Sequence, residues 1–389
     1  MNSLDAGDVS ILTLLDLSSA FDTIDHSILL QRLQNSFGIH KSPLSWITSY
    51  LSDRTQTVVA KDHTSFSTSI PYGVPQGSVL GPILFLLYTE PIKRITQSHD
   101  ISSQSFADDT QLHQSSTIER LPESLNKIES CISNIKNWMT SNKLKLNDEK
   151  TEVILFHSKH KKLPQSCPNS VIIGKTEVTF SKQVRNLGVT FTDSFDMNVH
   201  INNICRSAYC ELRKISSVRH LLTTDATINL VCCYVLSKLD YCNSLLSNLS
   251  KYQINKLQKV QNSAARLVYR IKKYEHIQPY LKELHWLPIS ARIKYKLSSL
   301  CYKSLTDSKF PSYLSEQLNV YVPSRNLRSS GDSRIYKIPK TKTTSIGTRS
   351  FSFAGPSAWN ALPSEVRHAT SLYSFKKQLK TFLFRDSYK

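Results

Sequence analysis

The chain has 389 residues, 40% of them hydrophobic and 20% charged, enough for about two or three domains that each bury a core of their own. No apolar run approaches the roughly 20 residues that span a bilayer, and residues 1–9 hold Asp5 and Asp8 without a basic stretch, which argues against a membrane or secreted protein and for a nuclear or cytoplasmic one. The net charge of +19 is unevenly spread: residues 1–150 carry 12 Lys and Arg against 16 Asp and Glu, residues 151–389 carry 37 against 14. That polarity suits an acidic chemical centre followed by a basic module that grips a polyanion, although a basic surface without a partner would look the same.

In chain order, residues 9–15 form a β-rich apolar run and the first strand. Asp25 is a good N-cap for a helix over 27–37 that stops at Gly38, and Pro43 opens a second helix to Leu51. Residues 56–60 and 66–70 predict a hairpin, ended by Pro71 and Gly73, and helical text follows over 78–92. A second hairpin pairs 104–107 with 110–113, with Asp108 and Asp109 at its tip.

An amphipathic helix is predicted over 118–141, then strands at 153–156, 171–173, 178–180 and 184–191. Beyond Asn198 the pattern is helical: 198–219, 225–247, 252–271, 290–305 and 374–384, with a polar basic linker over 323–342. The eight cysteines (131, 167, 205, 210, 232, 233, 242 and 301) show no C-x-x-C pair and read as reduced; Cys205, Cys210 and His200 fit no common zinc spacing.

Asp16 at the end of the first strand and Asp108 with Asp109 in a hairpin form the constellation that carries chemistry. A strand-end carboxylate beside a hairpin pair can hold two hard cations about 3.5–4 Å apart for in-line phosphoryl transfer. Oxygen donors suit magnesium better than His or Cys would. Lone aspartates at strand ends and turns are more often solvated caps, so these positions acquire weight only from the text around them.

That text resembles the reverse transcriptases of non-LTR (LINE-type, jockey-like) retrotransposons. Residues 15–26 (LDLSSAFDTIDH) resemble motif A of that family, 71–78 (PYGVPQGS) motif B and 106–109 (FADD) motif C, in the family's order and spacing. Residues 144–152 are similar to motif D and 186–189 to motif E, while 256–266 and 353–360 resemble the thumb and C-terminal region, so nearly the whole chain is covered.

The resemblance implies an α+β fold: an antiparallel palm sheet with packed helices over 1–195, an all-helical thumb over 196–275 and a basic C-terminal extension over 276–389. It implies an RNA-directed DNA polymerase with an RNA template, a DNA primer, deoxynucleoside triphosphates and two Mg2+ ions, Mn2+ being an alternative. Asp16, Asp108 and Asp109 would be the metal ligands, and Phe21, five residues after Asp16, the steric gate against a ribose 2′-hydroxyl. Gln76 and Gly77 would lie under the incoming nucleotide and Lys150 would protonate the leaving pyrophosphate. Leu187 and Gly188 would belong to the primer grip.

Arg206, Arg213, Lys214, Arg219, Lys256, Lys259, Arg266, Arg270, Lys272 and Lys273 would track phosphates, with Tyr209, Tyr252, Tyr269 and Tyr274 among them available to stack on bases. With 15 residues ahead of Asp16, the expectation is a truncated polymerase without fingers, whose activity alone the resemblance does not imply. The rival reading is a non-catalytic nucleic-acid-binding remnant that keeps the basic tail and leaves the acidic site idle.

Overall fold

The computed structural model describes residues 1–158, 163–164, 167–174, 176–322 and 334–389. The chain divides into two compact units, Gly7–Asn186 and a second made of Met1–Ala6 with Leu187–Lys389; the division falls ahead of the residue 195 chosen from motif content. Helix α1 (Asn2–Ala6) therefore belongs to the second unit.

In Gly7–Asn186, β1 (Val9–Leu15) is followed by α2 (His26–Phe37). The Asp25 carboxylate caps α2 by accepting from the Ser27 and Ile28 backbone N–H groups at 2.9 and 3.1 Å, and Gly38 closes it at φ 65. After α3 (Lys41–Leu51), the expected hairpin is two short ladders: β2 (Thr55–Gln56) pairs with β5 (Thr68–Ser69), and β3 (Val59–Ala60) with β4 (His63–Thr64). The helical text from 78 is two helices, α4 (Gly81–Thr89) and α5 (Pro91–Ser98). Pro91 brings no N–H and breaks the run at Glu90.

Strands β6 (Ser102–Phe106) and β7 (Asp109–Ser116), helix α6 (Leu121–Ser141) and strand β8 (Glu152–Phe156) complete the central layer; β9 (Ser170–Ile173), β10 (Thr176–Thr179) and β11 (Gln183–Asn186) follow. The main sheet is antiparallel, in the order β6-β7-β1-β8. Thr13 faces Leu112 on one side and Val153 on the other, and Leu15 faces Thr110. One sheet face, carrying Ile11, Leu15, Leu112, Val153 and Leu155, forms a core with Leu33 of α2, Phe85 and Tyr88 of α4 and Ile128, Ile132 and Ile135 of α6. Each such side chain, once buried, contributes about 1.5–3 kcal/mol.

Arg32 of α2 ties these helices together: its guanidinium donates to the Tyr88 carbonyl and, at 2.6 Å, to Asn142 Oδ1. The Tyr88 hydroxyl in turn donates to the Asn142 carbonyl at 2.6 Å. Strand alternation places residues 12, 14 and 16 on the face away from this core, and that parity positions the site.

In the second unit, β12 (Val189–Thr192) precedes α7 (Asn198–Val218), α8 (Thr224–Val231), α9 (Ser237–Asp240), α10 (Lys251–Tyr269), α11 (Gln278–Glu283) and α12 (Ile289–Thr306). The helix expected over 225–247 is interrupted by a π-helical turn, Cys232–Leu236, and ends at Asp240, where Tyr241 is extended and Cys242 takes φ 50. Helices α13 (Ser312–Ser315), α14 (Phe351–Asn360), α15 (Ser364–Arg367) and α16 (Leu372–Ser387) finish the chain.

Two cores fill this unit. One joins Ile201, Leu212, Val235, Leu257, Val260 and Leu297. The other is aromatic, with the Tyr302 ring stacked on Phe375 at 4.3 Å and Trp359 against both. Of the expected linker, 323–333 lie outside the described residues. The remainder is anchored: Tyr336 is buried, bridges to Val320 and binds Asn360, and the Trp359 indole N–H donates to the Arg334 carbonyl at 2.7 Å. All eight cysteines are free. Among the described residues no helix is long and apolar enough to cross a membrane.

Candidate active site

Register brings the carboxylates together. Because Leu15 of β1 pairs with Thr110 of β7, the next residue of each strand towards the sheet's end is Asp16 on one side and Asp109 on the other. Carried one residue beyond that pair, the strand alternation turns both positions away from the helical core. The hairpin differs by one residue from the expected tip: Asp109 begins β7 opposite Phe106, and the two turn residues are Ala107, at φ 54, and Asp108. Partial burial pushes the Asp109 carboxyl above its usual range, and the Asp108 and Asp16 carboxylates push it further.

Beyond β1 the chain stays clamped to the segment before β8. Asp16 accepts at its backbone carbonyl from the Asn147 N–H at 2.9 Å, Leu17 bridges to Leu146, and the Ser18 N–H donates to the Lys145 carbonyl at 3.0 Å. The strand-end aspartate is thus held by backbone on both flanks. Lys150 sits in the 3-10 turn Asp148–Lys150, exposed, with its N–H on Asn147 Oδ1 at 3.3 Å.

The turn after Asp16 is fastened to the segment before α4. The Val74 N–H donates to the Phe21 carbonyl and the Gly73 N–H to the Ile24 carbonyl, both at 2.8 Å. His26 Nε2 lies 2.7 Å from the Gly73 carbonyl, and Arg54 donates to the same oxygen at 3.1 Å. Gly73 has φ 82, and a Cβ there would lie 2.8 Å from the Phe21 carbonyl oxygen, so only glycine fits. Gln76 donates its amide to both carboxylate oxygens of Asp22, at 3.1 and 3.0 Å. Gly77, at φ 79, faces open space. The Phe21 ring is half-buried against Phe85, centroids 5.3 Å apart.

Phe21, Gln76 and Gly77 stand out in the sequence as site residues, whereas Asp22, His26, Arg54 and Gly73, which lock the two loops together, do not. Their signal was weak: in sequence, Asp22 and His26 look like helix-start residues and Arg54 like a surface charge.

In the second unit, Leu187 and Gly188 both take positive φ, 44 and 80. The Tyr241 hydroxyl donates to the Leu187 carbonyl at 2.7 Å, and a Cβ on Gly188 would come within 3.3 Å of the Tyr241 ring. The expected single strand over 184–191 is split there. Arg206, Tyr209 and Arg213 of α7 line a groove of about 550 Å3 whose other wall includes Ser263 and Leu267 of α10.

Lys259, Lys272 and Lys273 are exposed; Lys214 pairs with Glu211 at 3.4 Å, and Lys256 donates to Asn202 at 3.0 Å and lies over the Tyr252 ring. Arg270 donates to the Arg219 carbonyl at 2.9 Å and Arg266 to the Glu275 carbonyl at 3.2 Å. Tyr274 is exposed, whereas Tyr269 is half-buried with its hydroxyl pushed up to about 12 by burial and Glu283. Arg219 corrects the reading of a phosphate contact: it is buried, and its guanidinium closes on the carbonyls of Leu222, Leu267 and Val268 at 2.7–3.1 Å, capping α10.

Residues 3–191 match the family model described as reverse transcriptase (RNA-dependent DNA polymerase). That match spans just under half of the chain, and the curated relatives that the chain resembles are RNA-directed DNA polymerases of mobile elements. The chain is similar to the RNA-directed DNA polymerase from mobile element jockey of Drosophila melanogaster, 22% identical over 69% of this chain and 29% of that protein. It is similar too to the probable RNA-directed DNA polymerase from transposon BS of the same species, 26% identical over 65% of this chain and 28% of that one. The chain thus spans under a third of the length of the curated relatives it matches. Among solved structures, apo telomerase from Candida tropicalis is similar over 79% of this chain and 52% of that one, at 12% identity and a TM-score of 0.40.

Proposed function

We propose that the reverse transcriptase domain joins deoxynucleoside triphosphates to the 3′-hydroxyl of a DNA primer on an RNA template, and that Asp16, Asp108 and Asp109 hold the divalent ions for it. The observation that supports this reading is the β1–β7 register, whose last pair, Leu15 and Thr110, directly adjoins Asp16 and Asp109, with the Asp109 carboxyl raised by its burial and then by Asp108 and Asp16.

The donor set fits Mg2+, with Mn2+ as a substitute. Asp109 lies in the field of Asp108 and Asp16, and none of the three has an ion-pair partner among the described residues, which leaves negative charge for a cation to neutralise. No three such side chains, among the described residues, gather tightly enough to enclose one ion by themselves. Magnesium does not ask for that, since it keeps several waters and takes one or two carboxylates together with substrate phosphates. When bound, two such ions would lower the pKa of the attacking hydroxyl and offset charge on the transferred phosphorus.

The other residues follow from the geometry around the loops. Phe21, braced by Phe85, is a rigid ring able to exclude a ribose 2′-hydroxyl. Gln76, oriented by Asp22, and Gly77, with no side chain over open space, make a floor for a nucleotide. Lys150, exposed beside a turn that binds the Asp16 backbone through Asn147, is the candidate proton donor to pyrophosphate. Leu187 and Gly188 would present backbone to a primer. The groove of Arg206, Tyr209 and Arg213 offers cations and an aromatic ring to a nucleic-acid backbone, and Lys214, Lys256, Lys259, Arg266 and Arg270 would add to that field.

Primer extension on an RNA template with Mg2+ tests the proposal. Synthesis by the wild-type chain and its loss in Asp108→Asn, with folding retained, is expected; extension that survives Asp108→Asn would overturn the assignment.

A further inference from the structure

A cavity of about 620 Å3 in the second unit contains none of the residues assigned above. One wall is irregular backbone: the π-helical turn Cys232–Leu236 precedes α9, and Cys242, in the left-handed region at φ 50, turns Asn243 into the lining. Single π-helical turns recur at functional sites because they re-aim side chains at the expense of regular hydrogen bonding.

Asn243 is 4% exposed, and its amide N–H donates to Asp240 Oδ1 at 3.4 Å, which fixes its orientation. Its own Oδ1 has no hydrogen-bond partner among the described residues. A buried acceptor left open is costly, and an N–H donor on a ligand would satisfy it. Leu236 and Trp286, both almost fully buried, supply an apolar lining.

Charge around the cavity is positive. Arg292 of α12 is engaged, donating to Asp240 Oδ2 at 2.6 Å. Lys296 of the same helix and Lys380 of α16 line the cavity from exposed positions, with no carboxylate partner among the described residues beyond the field of Asp240. Burial pushes the Asp240 carboxyl up against the pull of Arg292 and Lys296, while its side chain stays 43% exposed to the cavity mouth and solvent.

We propose that this cavity binds a single nucleotide unit, with the phosphate on Lys296 and Lys380 and the base in the apolar part near Leu236 and Trp286, donating an N–H to Asn243 Oδ1. The unit is either a free nucleotide or one nucleotide of a single strand. The site is separate from the proposed polymerisation chemistry, and binding there needs neither metal nor primer.

Calorimetry on the full chain, without divalent ions, template or primer, tests it with adenosine 5′-monophosphate, adenosine, inorganic phosphate and a short 5′-phosphorylated single-stranded RNA. The nucleotide is expected to bind, and the exposed-site double variant Lys296→Ala/Lys380→Ala to weaken it about tenfold while leaving adenosine unchanged. Asn243→Leu is expected to weaken nucleotide and adenosine alike. RNA binding that is tighter than that of the mononucleotide and is weakened by Lys296→Ala/Lys380→Ala supports the site and assigns it to a strand; RNA binding that the double variant leaves unchanged, beside nucleotide binding that it weakens, supports the site and assigns it to free nucleotide. Unchanged nucleotide binding in the lysine double variant, inorganic phosphate binding as well as the nucleotide, or no binding of either nucleotide species at millimolar concentration would each overturn the proposal.

Discussion

The two units carry charge in opposite ways. Gly7–Asn186 holds 18 Lys and Arg against 17 Asp and Glu, nearly neutral, yet it sets Asp16 and Asp109 at the ends of paired strands, with Asp108 in the adjoining turn. The second unit holds 31 against 13 and spreads its excess over long side chains on helix faces. Strand pairing constrains a short Asp tightly, whereas an Arg on a helix can be exposed, like Arg213, or a buried cap, like Arg219. Position in the first unit is set by the chain; in the second it depends on what each side chain finds to bind.

Breaking the first unit's backbone lock should have the largest effect on stability. Gly73→Ala puts a Cβ onto the Phe21 carbonyl at a φ of 82 and is expected to cost about 3 kcal/mol or more, measured by denaturant unfolding. A cost under 1 kcal/mol would mean that the two loops are not interlocked. Next, Arg219→Met should cost about 2 kcal/mol because three carbonyls lose their donor, while leaving the salt dependence of RNA binding unchanged. Arg206→Ala/Arg213→Ala should do the reverse: little change in stability and a salt slope shallower by about one to two. Equal behaviour of the two sets would erase the distinction between capping and presented arginines.

The smallest effect concerns Asp109. Its folded-state pKa is raised, so protonation favours the folded form: the metal-free protein should gain stability as pH falls through that raised value and lose the gain once pH is above it. Asp109→Asn should flatten this dependence and slightly raise the neutral-pH melting temperature of the metal-free protein. A lowered melting temperature would show that the charge cluster is not strained.

Much of this was legible in the chain. Asp25 and Gly38 bracket α2 because a capping carboxylate and a left-handed C-cap are local chemistry, readable without tertiary information. The β1 strand and the FADD hairpin were legible for the same reason, although the turn shifted by one residue because Ala107 accepts positive φ. The break at Glu90–Pro91 was marked by proline and still read as one helix. The turn at Leu187–Gly188 hid inside β-rich text, and the π-helical turn at 232–236 inside apolar helical text, because both depend on packing partners distant in sequence: Tyr241 holds the first. Helix α14 was obscured by Pro356 within it. Arg219 was misread because charge is visible in a sequence and the carbonyls of residues 48 and 49 positions away are not.

The most direct test of the central claim is divalent-ion binding at the carboxylates. Titration with Mn2+, followed by the paramagnetic relaxation of bound water, should show binding in the wild-type chain that Mg2+ displaces, and its loss in Asp16→Asn/Asp108→Asn with folding intact. Equal Mn2+ binding in the wild type and the double variant would contradict the account, because the ions would then be held by something other than these aspartates.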